Sequence, residues 1–420
     1  MNIVLMTNLY YPYGSATGIC CYNVAAEMAR RHTVTVICMR SRIGQAGAEK
    51  HEGQKILRIS SGWWDARLRL DEIIESSRGV KRKWYTLLLD AVRARGYIRM
   101  LLSRASIDFD WVRAYQAALA EVEGPIDVLV PFCFPMEAVV GGMEYLRAHS
   151  SIKLIPYLFD PFVDSLTLHR TRWNKHLKRK GNLRIEQDML KVSQKVLCMY
   201  HLQNHFVQSG CCLDKLVFTE HPLLKQIPEE TSQREAMKGS TSLVYVGTFS
   251  RIMRSPQYLL KMMLIALPRL DGQLHLYIAG NCGKIISRYS AESNGCIVDH
   301  GFVRKEEANR AMYANKVLVA VANAESSQVS SKIFEYISTG KPIVLFYTDD
   351  DDINAGILSK YPLCLCLKQD DVLLQENAEK LIKFCRDTGD KRVSFADVEK
   401  IYYSATPEYV TNQMLNALDR

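Results

Sequence analysis

The segment 330–344, with the sequence SSKIFEYISTGKPIV, combines a hydroxyl, a lysine and a glutamate at the start of a predicted helix. Ser331 precedes the helix, Lys332 lies in its first turn and Glu335 follows one turn inside. Backbone N–H groups, a hydroxyl and an ammonium group suit a phosphate, and a carboxylate can accept hydrogen bonds from two ribose hydroxyls. The pattern predicts half of a nucleotide site, and the alternative is an ordinary amphipathic helix with solvated charges.

A second group of residues lies at the end of an earlier predicted strand. An apolar run ends at Gly247, Thr248 follows it, and Arg254 precedes the next predicted helix. Glycine allows the backbone to approach a ligand closely, and a guanidinium can clamp a diphosphate with two parallel hydrogen bonds. A cation is unfavourable at the start of a helix, so Arg254 favours an anionic partner over the alternative of a plain surface arginine. Another predicted strand ends in glycine at Gly280.

Apolar runs and helical periods alternate along the chain, which predicts an α/β fold with two parallel sheets flanked by helices. The predicted strands are 2–9, 33–39, 127–131, 153–159, 195–199, 215–219, 243–247, 275–279, 296–298, 317–321 and 342–346. The first predicted helix ends near residue 31, and later ones cover 135–148, 182–192, 201–208, 256–267, 305–315 and 407–418. Ligands of such sheets bind at the carboxyl ends of the strands.

The length of 420 residues predicts two domains with a cleft between them. We expect the first domain at 1–222, with a basic helical insert at about 65–122, and the second at 241–405. The apolar period is lost in 223–240, which is the expected linker. The last segment, 406–420, is expected to be a helix that returns to the first domain.

The composition is that of an ordinary globular protein, with 48% hydrophobic and 24% charged residues. The twelve cysteines form no C-x-x-C pair and no Cys/His cluster with zinc-finger spacing. The sequence begins directly with a strand rather than a signal peptide, and no apolar run approaches the ~20 residues that span a bilayer. We therefore expect a cytoplasmic protein in a reducing compartment.

The net charge of +9 is concentrated in two stretches. Residues 67–104 hold ten basic and four acidic residues, and residues 169–184 hold seven lysines and arginines and no acid. Trp84, Leu87 and Trp173 lie among these charges. The mixture suits an anionic membrane surface, which would place the protein peripherally on the inner face of the cell membrane. Nucleic acid would suit such charges too but leaves the glycine-ended strands unexplained, and a solvated helix face is the other alternative.

Several motifs together resemble GT-B-fold glycosyltransferases, and most closely the family-4-like retaining enzymes of bacterial surface-polysaccharide synthesis. The motifs of the second half are Tyr245-Val246-Gly247, Arg254-Ser255-Pro256, Tyr277-Ile278-Ala279-Gly280, Gly301-Phe302-Val303, Ser331-Lys332-Ile333-Phe334-Glu335-Tyr336 and Gly340-Lys341-Pro342. Those of the first half are Tyr11-Pro12, Gly14, Gly18 and Tyr22-Asn23-Val24-Ala25. The resemblance implies two Rossmann-like parallel-sheet domains that face each other across a cleft.

The resemblance also implies roles for individual residues. Arg254 and Lys332 would neutralise the diphosphate of a nucleotide-sugar, and Glu335 would hold the ribose hydroxyls. Gly247, Thr248 and Ser331 would bind the donor, with the backbone of Gly247 lying directly against it. Gly14 would face the donor from the other domain, and Asp160 would lie near the transferred sugar. Arg254, Lys332 and Asp160 are thus the expected catalytic residues, and the expected acceptor is a lipid-linked glycan.

No metal and no cofactor are expected. In enzymes of this kind cations and helix N–H groups stabilise the leaving diphosphate, and the leaving phosphate itself is thought to help deprotonate the acceptor, so no protein nucleophile is required. The run Asp349–Asp352 is the nearest candidate for a metal site, and a solvated turn is the preferred interpretation of it.

The chain departs from the family pattern at one position. A glutamate is expected at residue 327, where the chain has Ser327, and Glu325 lies two positions earlier. Glu325 is therefore the candidate for contact with the donor sugar. The departure leaves open a catalytically silent nucleotide-sugar-binding subunit, and a sugar-nucleotide epimerase is the enzymatic alternative. A dinucleotide enzyme is disfavoured because the loop 14–18 reads GSATG, not G-x-G-x-x-G.

Overall fold

The computed structural model describes residues 1–12, 14–169, 171–210, 213–226, 241–324, 326 and 329–418. The chain divides into two compact units: Met1–Leu223 with Pro407–Arg420, and Leu224–Thr406. Most of the expected linker, residues 227–240, lies outside the described residues.

The first unit is built on a sheet with the strand order β3-β4-β2-β1-β5-β7-β8-β9, in which β6 also pairs with β5. Its strands are β1 (Asn2–Leu9), β2 (Thr33–Met39), β3 (Ala48–His51), β4 (Gln54–Ile59), β5 (Val128–Cys133), β6 (Lys153–Leu154), β7 (Tyr157–Leu158), β8 (Val196–Met199) and β9 (Leu216–Thr219). All pairings are parallel except that of β3 with β4.

The helices of the first unit alternate with its strands along much of the chain. They are α1 (Ala16–Met28), α2 (Gly62–Ser76), α3 (Gly79–Leu102), α4 (Phe109–Ala120), α5 (Met136–Leu146), α6 (Leu166–His169), α7 (Arg172–Val192), α8 (Gln203–Gln208) and, from the end of the chain, Pro407–Asn416. The last of these packs against α1. Helix α4 contributes the buried side chains of Trp111 and Tyr115 to the core.

One strand prediction for the first unit was wrong, and one hairpin was missed. The predicted strand 153–159 is divided into β6 and β7, because Pro156 between them has no N–H to donate to a ladder. The hairpin of β3 and β4 was missed because β3 is polar apart from Ala48 and the apolar run of β4 is short. Its turn residues, Glu52 and Gly53, both have positive φ angles, of 45° and 76°, as tight hairpin turns require.

Helix α7 begins ten residues earlier than predicted, at Arg172 rather than at residue 182. Its buried face is polar: Asn174, Lys178, Asn182 and Glu186 are fully buried at intervals of four residues. An apolar period could not reveal this part of the helix, because the residues that repeat at helical spacing carry amides and charges.

The second unit is a parallel six-stranded sheet with the order β12-β11-β10-β13-β14-β15. Its strands are β10 (Thr241–Phe249), β11 (Gly272–Gly280), β12 (Ile297–Gly301), β13 (Val317–Val321), β14 (Ile343–Tyr347) and β15 (Cys364–Lys368). Its helices are α9 (Gln257–Leu270), α10 (Gly283–Glu292), α11 (Lys305–Ala314), α12 (Lys332–Ile337), α13 (Ile353–Leu358), α14 (Leu374–Thr388) and α15 (Phe395–Tyr402). Helices α9, α10 and α14 pack on the buried apolar side chains of the central strands. The terminal helix Pro407–Asn416 is α16.

Within the described part of the chain, no helix has both the length and the apolar character needed to cross a membrane.

Candidate functional site

The site in the second unit is built around the carboxyl end of β10. The strand continues two residues past the predicted end at Gly247, and its last residue, Phe249, pairs with Gly280 of β11. Thr248 is exposed, and a Cβ added to Gly247 would lie 3.0 Å from the Tyr245 hydroxyl oxygen. A larger residue at position 247 would therefore displace Tyr245 as well as narrow the approach of a ligand.

The glycine at the end of β11 has a structural reason of its own. Gly280 has a φ of +116°, and a Cβ there would lie 2.0 Å from the carbonyl oxygen of Phe249. No other residue fits so close to the neighbouring strand. Gly280 therefore holds β10 and β11 together where both strands end.

Arg254 lies at the end of a tight turn that follows β10. The backbone groups of Ser250 and Arg254 exchange two hydrogen bonds, at 3.0 and 3.1 Å. The Arg254 Nη2 atom donates to Asn323 Oδ1 at 2.7 Å. The guanidinium is partly buried, so the turn and the amide of Asn323 fix the direction in which it points.

The loop after β13, which carries Asn323, is tied to its surroundings by backbone hydrogen bonds. The Ala324 N–H donates to the Met253 carbonyl oxygen at 2.7 Å, and the Ile353 N–H donates to the Ser326 carbonyl oxygen at 3.0 Å. At its far end the Ser330 N–H donates to Oδ1 of the fully buried Asn354 at 2.7 Å. Glu325 and Ser327, the two residues at issue in the departure from the family pattern, lie outside the described residues.

Helix α12 carries the predicted phosphate and ribose ligands, but it is short, with only six residues. Lys332 is its first residue, and the side chain of Ser331 makes no capping hydrogen bond. The Lys332 Nζ atom lies 3.7 Å from Glu335 Oε2, and both side chains are partly exposed. Since so short a helix has a weak dipole, attraction for an anion must come mainly from the Lys332 ammonium.

The buried hydroxyl of Tyr336 connects α12 to the end of β10. It lies 3.3 Å from the Val246 nitrogen and 3.4 Å from the Val246 oxygen. Burial raises the pKa of Tyr336, Tyr245 and Glu335 raise it further, and the charge of Arg254 lowers it. Arg254 and Glu335 thus lie within electrostatic reach of the same buried group. The structure brings Gly247, Arg254 and α12, with Lys332 and Glu335, to one end of one strand.

Gly14 and Asp160 belong to the first unit, where each follows the carboxyl end of a strand. Gly14 is exposed in the loop between β1 and α1. Ser15 caps α1, since its Oγ accepts from the Gly18 N–H at 3.0 Å. A Cβ on Gly18 would lie 1.8 Å from the Leu9 carbonyl oxygen, so glycine is required there for the loop to close over β1.

Asp160 follows β7, and the residues after it are held by a buried carboxylate. Glu186 of α7 accepts hydrogen bonds from the N–H groups of Phe162 and Val163, at 3.1 and 3.0 Å. The Glu186 side chain is fully buried. The backbone that follows the proposed catalytic carboxylate is therefore fixed.

His205 completes this network, and sequence reasoning missed it together with Glu186. Its Nε2 atom lies 3.0 Å from Glu186 Oε2, and its Nδ1 atom lies 3.3 Å from Asp164 Oδ2. Burial lowers the pKa of His205, but the two carboxylates outweigh burial and raise it overall. The four-residue repeat of polar residues in α7 could have revealed Glu186, whereas no pattern in the sequence pointed to His205.

The run Asp349–Asp352 is a turn and a helix cap. Oδ1 of Asp352 accepts from the N–H groups of Asn354 and Ala355, at 2.8 and 3.1 Å, and so caps α13. Asp352 is buried, which the preferred interpretation as a solvated turn did not foresee. Among the described residues, no group of three or more His, Cys, Asp and Glu side chains is arranged to hold a metal ion.

No protein-family model matches the chain, and no curated protein matches it in sequence. Solved structures, in contrast, match it over its whole length. Sucrose-phosphate synthase from Thermosynechococcus elongatus is 14% identical with a TM-score of 0.60, covering 100% of this chain and 98% of that one. The E. coli structure named trehalose-6-phosphate bound with UDP-2-fluoro glucose is 10% identical with a TM-score of 0.63, covering 100% and 99%.

A third match is the apo form of the lipopolysaccharide outer core galactosyltransferase WaaB, 10% identical with a TM-score of 0.53, covering 100% of this chain and 99% of that one. Identities this low carry the fold alone. Each unit has a parallel α/β sheet with helices on its faces, apart from the antiparallel edge strand β3. The chain has the GT-B fold of two Rossmann-like units.

Proposed function

We propose that the protein is a glycosyltransferase that moves a sugar from a nucleoside-diphosphate sugar to a glycan acceptor, with retention of configuration. The observation that carries the proposal is the position of Arg254, which is fixed by Asn323 at 2.7 Å beside the end of β10. Helix α12, with a lysine and a glutamate, is anchored to the same strand. The site thus holds two cations and a carboxylate at the carboxyl end of a parallel strand. This set of groups suits a nucleoside diphosphate.

In the proposed complex, the donor takes over interactions that the side chains now make with one another. Lys332 lies 3.7 Å from Glu335, too far for a hydrogen bond. The ammonium can therefore turn to a phosphate oxygen while Glu335 accepts from the ribose hydroxyls. Thr248 is exposed, and the Ser331 side chain makes no capping hydrogen bond to α12, so both hydroxyls can donate to the same phosphates.

The proposed chemistry follows from where charge develops. Breaking the bond between sugar and diphosphate places negative charge on the leaving oxygen, and Arg254 and Lys332 stabilise that charge without having to reorganise. The leaving phosphate assists removal of the proton from the acceptor hydroxyl, so no protein nucleophile takes part. We propose that these two cations serve in place of a divalent metal.

We further propose roles for three residues on the sugar side. Gly14 leaves room for the donor, and Asp160 hydrogen-bonds the transferred sugar from the fixed backbone that Glu186 holds. Glu325 contacts the same sugar in place of the glutamate that Ser327 replaces.

The acceptor is proposed to be a lipid-linked glycan of surface-polysaccharide synthesis, met at an anionic membrane. Large apolar side chains are exposed on α3 and α7: Trp84 is 63% exposed, Leu87 62%, Trp173 69% and Leu177 57%. Lysines and arginines surround them on both helices. An exposed apolar surface with basic neighbours is what an interfacial helix presents to anionic lipid.

Calorimetry with UDP and GDP tests the donor site. Arg254→Ala and Glu335→Ala should each weaken binding of the preferred nucleotide by about tenfold to a hundredfold, because each removes hydrogen bonds to a charged group. Arg251→Ala, which removes an exposed arginine three residues earlier, is the matched control. Unchanged affinity in both site variants would contradict the assignment.

Turnover then separates transfer from its alternatives. Release of nucleoside diphosphate that depends on an added acceptor supports a transferase. Nucleotide binding without any release identifies a silent binding subunit, and sugar epimers formed without an acceptor identify an epimerase.

A further inference from the structure

A cavity in the first unit is lined by the insert helices α2 and α3, by the first two turns of α4, and by single residues of α5 and α6. It has two adjoining lobes, of about 730 Å³ and about 270 Å³, which share Trp63, Gly96 and Asp108. The larger lobe has a volume typical of small-molecule sites. We call the two lobes together the insert pocket.

The position of the insert pocket on the sheet is that of a ligand site. Ser61 and Trp63 follow the carboxyl end of β4, and Glu137 lies in the first turn of the helix that follows β5. Ligands of parallel α/β sheets bind at the carboxyl ends of the strands. Gly14 and Asp160 follow the carboxyl ends of β1 and β7 in the same sheet.

Aromatic rings form the walls of the insert pocket. Trp63, Tyr97 and Phe109 line its smaller lobe. Trp63 is held in place by edge contacts with Trp64 and Trp111, at centroid distances of 5.6 and 6.3 Å. Phe109, in contrast, is the first residue of α4 and is 51% exposed. Flat apolar walls of this kind suit the C–H faces of a sugar ring.

Glu137 supplies a hydrogen-bonding group beside these rings. Its Oε1 atom accepts from the Asp108 N–H at 2.9 Å, which fixes the carboxyl group where it lines the smaller lobe. Burial raises the pKa of Glu137 to about 7, against the lowering effect of that N–H. A carboxyl group whose pKa lies near neutral pH can either accept or donate a hydrogen bond, and sugar hydroxyls can pair with both forms.

The charges around the smaller lobe balance. Its lining includes two arginines, Arg67 and Arg93, and the carboxylate of Asp108. The two arginines also lie 3.7 and 3.9 Å from the carboxylate of Asp71. A balanced lining attracts neither an anion nor a cation strongly, which favours a neutral ligand rich in hydroxyls.

We propose that the insert pocket binds a neutral sugar ring of the glycan acceptor. The role of this sugar as acceptor rests on the proposed function, whereas the binding of a sugar by the pocket does not. The insert, which has little resemblance to the family, would then determine which glycan this chain extends. Helix α3 contributes to the pocket with Arg93 and Tyr97 and presents Trp84 and Leu87 to solvent, so one helix would meet both the sugar and its lipid.

The test is saturation-transfer NMR on the full chain without a donor. The probes are the methyl glycosides of glucose, galactose, mannose and N-acetylglucosamine, with farnesyl phosphate as an apolar anionic probe. At least one methyl glycoside should bind. Phe109→Ala should weaken that binding about tenfold or more, and Phe109→Tyr, which keeps the ring, should retain it. Trp84→Ala, on the exposed side of the insert, should leave it unchanged.

The proposal is overturned if no methyl glycoside binds, or if Phe109→Ala leaves sugar binding unchanged. It is also overturned if that variant impairs only the binding of farnesyl phosphate, since the cavity then holds a lipid chain. Calorimetry with UDP on the same samples keeps the two proposals apart. Sugar binding with no nucleotide binding would contradict the donor site alone, and the reverse result would contradict the insert pocket alone.

Discussion

The hydroxyl of Tyr336 lies 3.3 Å from the nitrogen and 3.4 Å from the carbonyl oxygen of Val246. The pairing of β10 with β13 ends one residue earlier, at Tyr245. Where that strand pairing stops, a side chain from α12 therefore takes over contact with the β10 backbone. This contact joins the helix that carries Lys332 and Glu335 to the strand that leads to Arg254.

Tyr336→Phe should loosen this connection. The substitution removes the hydroxyl that pairs with the buried N–H and carbonyl of Val246. The free energy of unfolding should therefore fall by about 1–3 kcal/mol. Affinity for UDP or GDP should fall about threefold to tenfold, because α12 is less firmly placed. Tyr361→Phe is the matched control: it removes a buried hydrogen bond to the Lys341 carbonyl oxygen, at 2.9 Å. It should cost similar stability and leave nucleotide affinity intact.

Turnover should not require a divalent metal. If Arg254 and Lys332 stabilise the leaving diphosphate, acceptor-dependent release of nucleoside diphosphate should proceed at an unchanged rate in excess EDTA. Arg254→Lys, which keeps the charge but loses the paired donors, should lower kcat about tenfold or more. Activity that is lost in EDTA and restored by Mg²⁺ or Mn²⁺ would show that the two cations are insufficient.

Stability should depend on pH through His205. Its pKa is raised in the folded protein, because Glu186 and Asp164 outweigh the effect of burial. Its stabilising contribution is therefore complete below the unfolded pKa of ~6.5. It is lost as the pH rises through the higher folded value. His205→Gln should cost roughly 2–4 kcal/mol at pH 6 and less at pH 8, measured by urea unfolding.

His176→Gln is the control for this comparison, since His176 is exposed on α7. It should shift the unfolding free energy little at either pH. An equal loss at pH 6 and pH 8 in His205→Gln would mean that the charge of the imidazole does not stabilise the loop after Asp160.

The exposed apolar and basic residues of α3 should bind the protein to anionic vesicles. Charge reversal at Lys81, Arg82 and Lys83 should weaken co-sedimentation at least about tenfold, since each basic residue near such a surface contributes ~1 kcal/mol. Added salt should weaken the binding as well. Trp84→Ala should weaken it through loss of apolar contact.

The matched control reverses three exposed lysines of the second unit, Lys284, Lys360 and Lys383. It changes the net charge by the same amount and should leave vesicle binding nearly intact. Equal losses in the two triple variants would mean that only the total charge matters, with no particular surface involved.

Many of the strand positions along the chain could be predicted because buried parallel strands are continuous apolar runs. The predicted bounds of β1, β2 and β13 match the structure to the residue. Strand β3 and the first half of α7 were missed, since most of their residues are polar or charged and show no apolar period. Strand β4 was missed because its apolar run is short. Their stability comes from partners that are distant in sequence, such as Asn182 with the Ser106 N–H at 2.8 Å.

The sequence by itself determined the α/β class and supplied the candidate residues for a nucleotide site, because strand ends, glycines and charged side chains are local features. Only the tertiary structure decided what supports them. It brought Asn323 into a hydrogen bond with Arg254, and the Tyr336 hydroxyl into one with Val246. It also brought Glu186 into a hydrogen bond with the backbone that follows Asp160. It also enclosed the insert pocket with residues from five separate helices. Such relationships join positions tens of residues apart, and no local pattern can encode them, since they exist only once the strands have paired and the helices have packed.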